Sequence, residues 1–303
     1  MTHTDFNRLM AHARGAGYAT GYFECWNLES ALAVADAAEA TRSPVLLGFS
    51  GIYLSHPERL RAERPGLNAA LGLEVCRRMS VPASLVFNES ADPDRVMQAI
   101  RDGYGMVMFS NEDLSPDEQI DQIREIVAAA HREGAAVEGE AMALPGIHGN
   151  LREPPALPPL TEVETAKDFV CRTGVDAFAV NIGQVHLHGR QEVRLNLERL
   201  EELQAALDLP LVLHGASSVN RQDILRAISL GICKINVSSI LKQTYFEAMR
   251  AAAASVPENY NPYEILGSGL EADVLMAGRL ALQRKVEELM QLFGSAGKAD
   301  SFS

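Results

Sequence analysis

Eight short apolar runs, each followed by a segment of helical pattern, constrain this chain more than any other feature. The runs fall in Tyr18–Cys25, Pro44–Ser50, Val81–Ser90, Gly105–Ser110, Ala135–Glu140, Asp176–Gly183, Leu211–His214 and Gly231–Val237. Runs this short, apolar throughout and bounded by turn residues read as strands of a parallel sheet buried on both faces. Helical patterns cover Asn27–Ala40, Leu67–Met79, Asp92–Arg101, Ser115–Arg132, Thr161–Arg172, Asn196–Leu207 and Val219–Leu230, then continue to Ala254 and again from about Leu270 to Phe293. Ser115-Pro-Asp-Glu118 opens one of them with a cap, a proline at the first position and acids in the first turn. Thr161 and Glu164 are spaced as a capping box for another. This alternation favours one α/β domain over residues 1–303, a (β/α)8 TIM barrel with a C-terminal helical extension. A doubly wound open sheet is the alternative, but no G-x-G-x-x-G follows the first run, which counts against a dinucleotide-binding version.

The 303 residues are 47% hydrophobic, enough to bury a large core. Barrels of this class use about 200–250 residues or more as one unit, so the length does not require two domains. The formal charge of −13 argues against nucleic acid or an anionic membrane as partner. A phosphorylated small molecule is not excluded, because backbone amides at helix starts bind phosphate whatever the overall charge. No basic-then-apolar leader opens the chain, and no apolar run reaches the ~18 residues of a membrane span. Cys25, Cys76, Cys171 and Cys233 match no ligand spacing. A cytoplasmic protein with free thiols is the expectation.

In a barrel, the carboxyl ends of all strands meet at one mouth. Those ends carry Glu24, Ser50, Asn88, Glu89, Ser110, Glu138, Glu140, Asn181, His186, His214 and Asn236, with Lys234 the one cation in the strand segments. Glu138 and Glu140, two residues apart, point to the same side of their strand. Several carboxylates in a partly dehydrated pocket are costly unless a cation offsets them. Two histidines and a carboxylate are the usual ligands of a divalent transition metal. Glu89, His186 and His214 are therefore read as metal ligands, with Glu140 as a fourth ligand or a group bonded to them. The competing reading makes each histidine a satisfied polar residue at the rim.

After the seventh and eighth strands come Gly215-Ala-Ser-Ser218 and Asn236-Val-Ser-Ser239. Small and hydroxyl residues at two helix starts form the phosphate site common in such barrels. The plainer alternative is N-capping by Ser217 and Ser239. The irregular stretch Ala141–Leu160, which holds His148, is long enough to expect a functional loop.

These residues resemble the class II, metal-dependent ketose-bisphosphate aldolases over nearly the whole chain. LVLHGASS is similar to the family's LVLHGGSG, KINVSSILK to K-V-N-x-x-T-[DE]-L, and VEGE to V-E-x-E. TGVDAFAVNIGQVH is similar to TGVD-x-LAV-x-IGT-x-H, and NPYEIL with LFGSAGKA to the C-terminal signature. The resemblance implies a barrel enzyme, usually a homodimer or homotetramer, in which a divalent metal polarises the carbonyl of a ketose phosphate. That metal is typically zinc, with manganese, cobalt or iron as alternatives. His186 and His214 fall on metal-binding histidines and Glu140 on the metal-associated glutamate. Gly183, Gly215, Ser217, Asn236 and Ser239 fall on phosphate- or substrate-binding positions, and Ser50 joins them at the mouth.

The departures are as informative. The family's H-x-D-H is here Val86-Phe-Asn-Glu89, so a metal-binding histidine has become Glu89 and the proton-transferring aspartate Asn88. Asp-Gly-Ser after the fourth strand has become Ser110-Asn-Glu112. An acid after the eighth has become Ile240, and the asparagine of the first has become Glu24. The acidic residue of the family's catalytic loop aligns at or beside His148. Carboxylate oxygen still suits these metals, but an amide cannot exchange a proton at neutral pH. Asn88 is then expected to orient a substrate hydroxyl, with His148, Glu24 or Glu138 taking the proton.

The expectation is an aldolase for a phosphorylated ketose or keto-acid sugar other than fructose 1,6-bisphosphate. The rivals are an isomerase, epimerase or decarboxylase working through the same enediolate, a non-catalytic sugar-phosphate-binding barrel, and a Schiff-base aldolase using Lys234.

Overall fold

A computed structural model of the chain describes residues 4–56, 58–61, 63, 66–144, 159–185 and 192–302. Eight parallel strands close into a barrel in sequence order: β1 (Thr20–Glu24), β2 (Val45–Ser50), β3 (Ala83–Ser90), β4 (Met106–Phe109), β5 (Ala136–Glu140), β6 (Ala177–Ala179), β7 (Leu211–Leu213) and β8 (Ile232–Val237). β8 pairs back onto β1 with Tyr22 opposite Asn236, which leaves no sheet edge. The open-sheet alternative is thereby excluded.

Burial on both faces explains the unbroken apolar runs. Outward residues such as Phe23, Leu47, Val107 and Phe178 pack under the surrounding helices. Inward residues Leu46, Val86, Met106, Ala136, Ala177 and Val212 fill the lower barrel. The helix Phe6–Ala16 seals that end: Phe6, Leu9 and Met10 are buried against the inward set, and Thr4 N donates to Ala83 O at the start of β3 (2.6 Å). Each of those three side chains contributes about 1.5–3 kcal/mol by leaving water. A closed base directs the chemistry to the opposite mouth.

The C-terminal extension folds back on the barrel. Helix Val274–Leu292 packs between helices Leu28–Thr41 and Ser239–Ala254, Phe293 stacks on Phe23, and Arg279 pairs with Asp36 (2.5 Å). Among the described residues no helix is long and apolar enough to cross a membrane.

Local chemistry overrode three expectations. The capping box at Thr161 and Glu164 does not form; the helix spans Val163–Thr173 after Glu162, without a side-chain cap. Thr161 Oγ1 instead accepts from Asn181 N (2.8 Å), tying this helix start to the end of β6. β6 itself stops at Ala179, because Gln184 takes over its backbone partners, accepting from Ile182 N (2.9 Å) and donating to Val180 O (2.5 Å). Nor do Ser217 and Ser239 act as N-caps. Asn220 caps helix Arg221–Ser229, Ser239 is already the first residue of its own helix, and that helix has no side-chain cap.

Candidate active site

At the carboxyl mouth one pocket is lined by Glu24, Ser50, Asn88, Glu89, His214, Ser217, Asn236 and Ser239, together with Tyr22, Tyr53 and the intervening small residues. Most of the predicted site residues therefore meet in one place. Gly183 and Glu140 are not among the lining residues: Gly183 turns the chain after β6, with its N–H donated to Asn181 Oδ1 (3.1 Å), and Glu140 lines a neighbouring hollow that Glu89 also borders. His148 and His186 lie outside the described residues.

Glu89 owes its position to a distortion of β3. Between Phe87 and Ser90, β3 carries one residue more than β4 opposite it, a bulge of the kind that re-aims side chains. Glu89 takes up the excess with φ +46°, the left-handed region, which costs a non-glycine residue roughly 1–3 kcal/mol. The twist brings its carboxylate to His214 Nδ1 (3.0 Å) and to Asn88 Nδ2, which donates to Oε2 (2.9 Å). His214 arrives from the end of β7. Gly215 follows at φ +65°, and an added Cβ there would stand 3.3 Å from Val185 O, so a glycine suits this turn.

One ligand atom each from Glu89, Glu140 and His214 lie within 4.8 Å of one another, and all three side chains are buried. Beneath them Glu138 is wholly buried, with Oε1 at 2.6 Å from His214 Nε2 and Oε2 at 2.7 Å from Lys234 Nζ. Burial alone would raise Glu138, but the charge of Lys234 and the bonds from His214 and Lys234 outweigh it and hold the carboxyl at about 2. Burial would lower His214, yet its bonds to Glu138 and Glu89 lift it to about 10. Glu140 is the group left over: burial, then the charge of Glu89, push it up to about 8. Three carboxylates thus share two cations, His214 and Lys234, among the described residues. The protons that Glu140 and His214 retain offset the crowded carboxylates, and a divalent cation between Glu89, Glu140 and His214 can replace them, so these residues fit a metal.

Two expectations are corrected here. Glu138 does not face the pocket as a free base; it lies under His214, with one oxygen bonded to that histidine and the other in an ion pair with Lys234. Lys234, also wholly buried, is bound to Glu138 and donates to Asn236 Oδ1 (2.6 Å), which removes it as an exposed amine for a Schiff base. Asn88 is also more constrained than expected. Its amide donates to Glu89, and its oxygen accepts from Asn236 Nδ2 (3.1 Å).

Sequence reasoning missed two features, Lys242 beside the pocket wall and Tyr22 on its floor. Lys242, one turn into the helix beginning at Ser239, pairs with Glu24 and lies 3.8 Å from the centre of the Tyr53 ring. Its spacing of three from Ser239 was the available signal. Tyr22 lines the pocket floor, is 1% exposed, and its hydroxyl has no hydrogen-bond partner among the described residues. Nothing in its strand pattern separated it from a core aromatic. The two serine turns read from the sequence both line the pocket, one at a short helical turn Ala216–Ser218 and one at the start of a 16-residue helix. Backbone N–H groups at such positions are suited to an anion.

A sequence model for the family described as fructose-bisphosphate aldolase class-II matches residues 4–298. The 6-phospho-5-dehydro-2-deoxy-D-gluconate aldolase of Shouchella clausii is 32% identical over 294 residues, 96% of this chain and 94% of that protein. The fructose-bisphosphate aldolase of Thermus caldophilus is 30% identical over 316 aligned positions, 96% of this chain and 98% of that one. Among solved structures, the YdjI aldolase of Escherichia coli K12 superposes with a TM-score of 0.77 at 28% identity, covering 98% of this chain and 99% of that one.

Proposed function

This chain belongs to the class II fructose-bisphosphate aldolase family, a family of metal-dependent carbon–carbon lyases, and from that premise we propose that it reversibly cleaves a phosphorylated ketose or keto-acid sugar other than fructose 1,6-bisphosphate. One observation carries the reading: Glu89 and His214, which cluster with Glu140, line the same pocket as two anion-ready turns. Relatives of nearly equal identity bear the names of different substrates, so overall similarity does not choose between them. The pocket's own residues argue for the choice.

Glu89, Glu140 and His214 would hold the metal, with His186 as a further ligand. Zinc is the ion proposed, and manganese, cobalt or iron suit the same donors. When bound, the ion supplies a Lewis acid that polarises a substrate carbonyl. Gly215, Ser217, Asn236 and Ser239 would bind the phosphate end. Ser50 and Glu24 stand on the wall where the rest of the sugar would lie. Asn88 cannot act as the acid or base that an aspartate would be, and its amide is committed to Glu89 and Asn236. Glu24, held by Lys242, offers an acceptor to substrate hydroxyls and is the described carboxylate placed to move a proton there, with His148 as the other candidate. These differences lie on the hydroxyl-reading side, whereas the serine turns are kept. That asymmetry supports a changed sugar with a retained phosphate. We further propose a single catalytic domain, a cytoplasmic location and a homodimer or homotetramer.

The test is metal analysis of the purified protein followed by product analysis on a panel of phosphorylated ketoses and keto sugars. We expect bound divalent metal, two fragments from at least one panel member, and far slower turnover of fructose 1,6-bisphosphate. A single rearranged product would favour an isomerase or epimerase. Absence of both metal binding and turnover would leave a binding barrel.

A further inference from the structure

Beneath the pocket, Glu138 and Lys234 form an ion pair that is 0% exposed on both sides. Burying two charges is expensive, and apolar residues of similar size would often serve stability as well or better. Its contacts indicate another role. Lys234 Nζ donates to Asn236 Oδ1 (2.6 Å), so the Asn236 amide nitrogen is the end turned towards Asn88 Oδ1 (3.1 Å) and His214 Nε2 (3.0 Å). His214 Nε2 therefore has two neighbours, Asn236 Nδ2 and Glu138 Oε1 (2.6 Å). One ring nitrogen cannot both accept from the amide and donate to the carboxylate. The bond to Glu138 is the shorter and is charge-assisted, so donation from Nε2 prevails. Nδ1 is then the nitrogen that faces Glu89 (3.0 Å).

We propose that Glu138 and Lys234 are positioning residues that fix His214 with its proton on Nε2 and present Nδ1 to the divalent metal. Glu138 accepts the Nε2 proton, and Lys234 anchors both that carboxylate and Asn236, which lies against the same nitrogen. Partners of this kind set the tautomer and ring orientation of a metal-binding histidine, and removing one commonly weakens metal binding by about 10–100-fold. The inference rests on the metal reading of the preceding section.

The test uses the full chain, stripped of metal and titrated with Zn2+ alone against a competing chelator. Wild type is compared with the double variant Glu138→Leu/Lys234→Met, which leaves neither an unpaired buried charge nor an acceptor for the Nε2 proton at position 138. We expect the double variant to melt near the wild-type temperature and to bind Zn2+ about 10–100-fold more weakly. A folded double variant with wild-type Zn2+ affinity would make the pair merely structural and overturn the proposal. A second measurement needs no variant: 15N spectra of the zinc-loaded wild type should show His214 protonated at Nε2 and metallated at Nδ1. The reverse assignment would also overturn it. Wild-type protein that binds no Zn2+ or other divalent metal would instead remove the metal reading itself, and this inference with it.

Discussion

Asn88 donates a hydrogen bond from Nδ2 to Oε2 of Glu89, its own neighbour in the chain, at 2.9 Å. The two side chains stay on one side of β3 because Glu89 adopts a left-handed backbone at the bulge. This contact makes the two departures from the H-x-D-H pattern a matched pair. An aspartate at 88 would set a second carboxylate against Glu89 in a buried site, where like charges repel strongly. An amide there supplies a donor instead.

Asn88→Asp is accordingly expected to impair the enzyme, although it restores the residue type of the related motif. On the substrate identified by product analysis, kcat/KM should fall by roughly tenfold or more at neutral pH, the scale of one lost charge-assisted bond. A gain in turnover at pH 7 would contradict the pairing.

Glu89→Ala removes one of the three donors and leaves His214 Nδ1 without its partner. Metal affinity, read by chelator competition, should drop by more than about 100-fold, beyond the loss usual for a residue that only supports a ligand. Unchanged affinity would show that the metal is held elsewhere.

Tyr22→Phe separates packing from recognition. The hydroxyl is buried without a partner among the described residues, so its removal should leave the melting temperature unchanged or slightly higher. Because Tyr22 lines the pocket floor, substrate is expected to accept its proton in a hydrogen bond, and kcat/KM should fall about tenfold. Full activity in Tyr22→Phe would assign the ring to packing alone.

Asp273 offers a stability test far from the metal donors. It caps helix Val274–Leu292, accepting from Leu275 N (3.0 Å) and Gly269 N (2.8 Å). Burial raises this carboxyl, but the backbone N–H bonds prevail and hold it below the usual range. A depressed folded-state pKa stabilises the protein above the unfolded value of about 3.9, and that contribution fades as pH falls through the folded value. Asp273→Asn keeps an acceptor for the Leu275 N–H but loses the charge and the second acceptor, which Gly269 N uses. Wild type should exceed it by about 1 kcal/mol near neutrality, with the gap closing below about pH 4. Urea unfolding from pH 3 to 7 measures this, and a gap independent of pH would refute it.

Much of the fold was legible because the barrel buries both faces of every strand, which leaves apolar runs with polar ends. His214, Glu138 and Glu140 were recognisable as inward residues from their place at strand ends and the two-residue period. The extent of β6 was not, since Gln184 supplies by side chain the bonds that a longer strand would have made.

What the sequence by itself determined is therefore the order of strands and helices, the mouth at which polar groups gather, and the family to which those groups belong. It could not assign work within that mouth. Glu138 and His214 are 76 residues apart in the chain, and Lys242 and Glu24 are 218 apart. Only closure of the barrel decided that one carboxylate lies beneath His214, locked by Lys234, while Glu89 twists up beside it. The reason is physical: the charge and proton position of a buried group follow from neighbours a few ångströms away, and distance along the chain does not encode them.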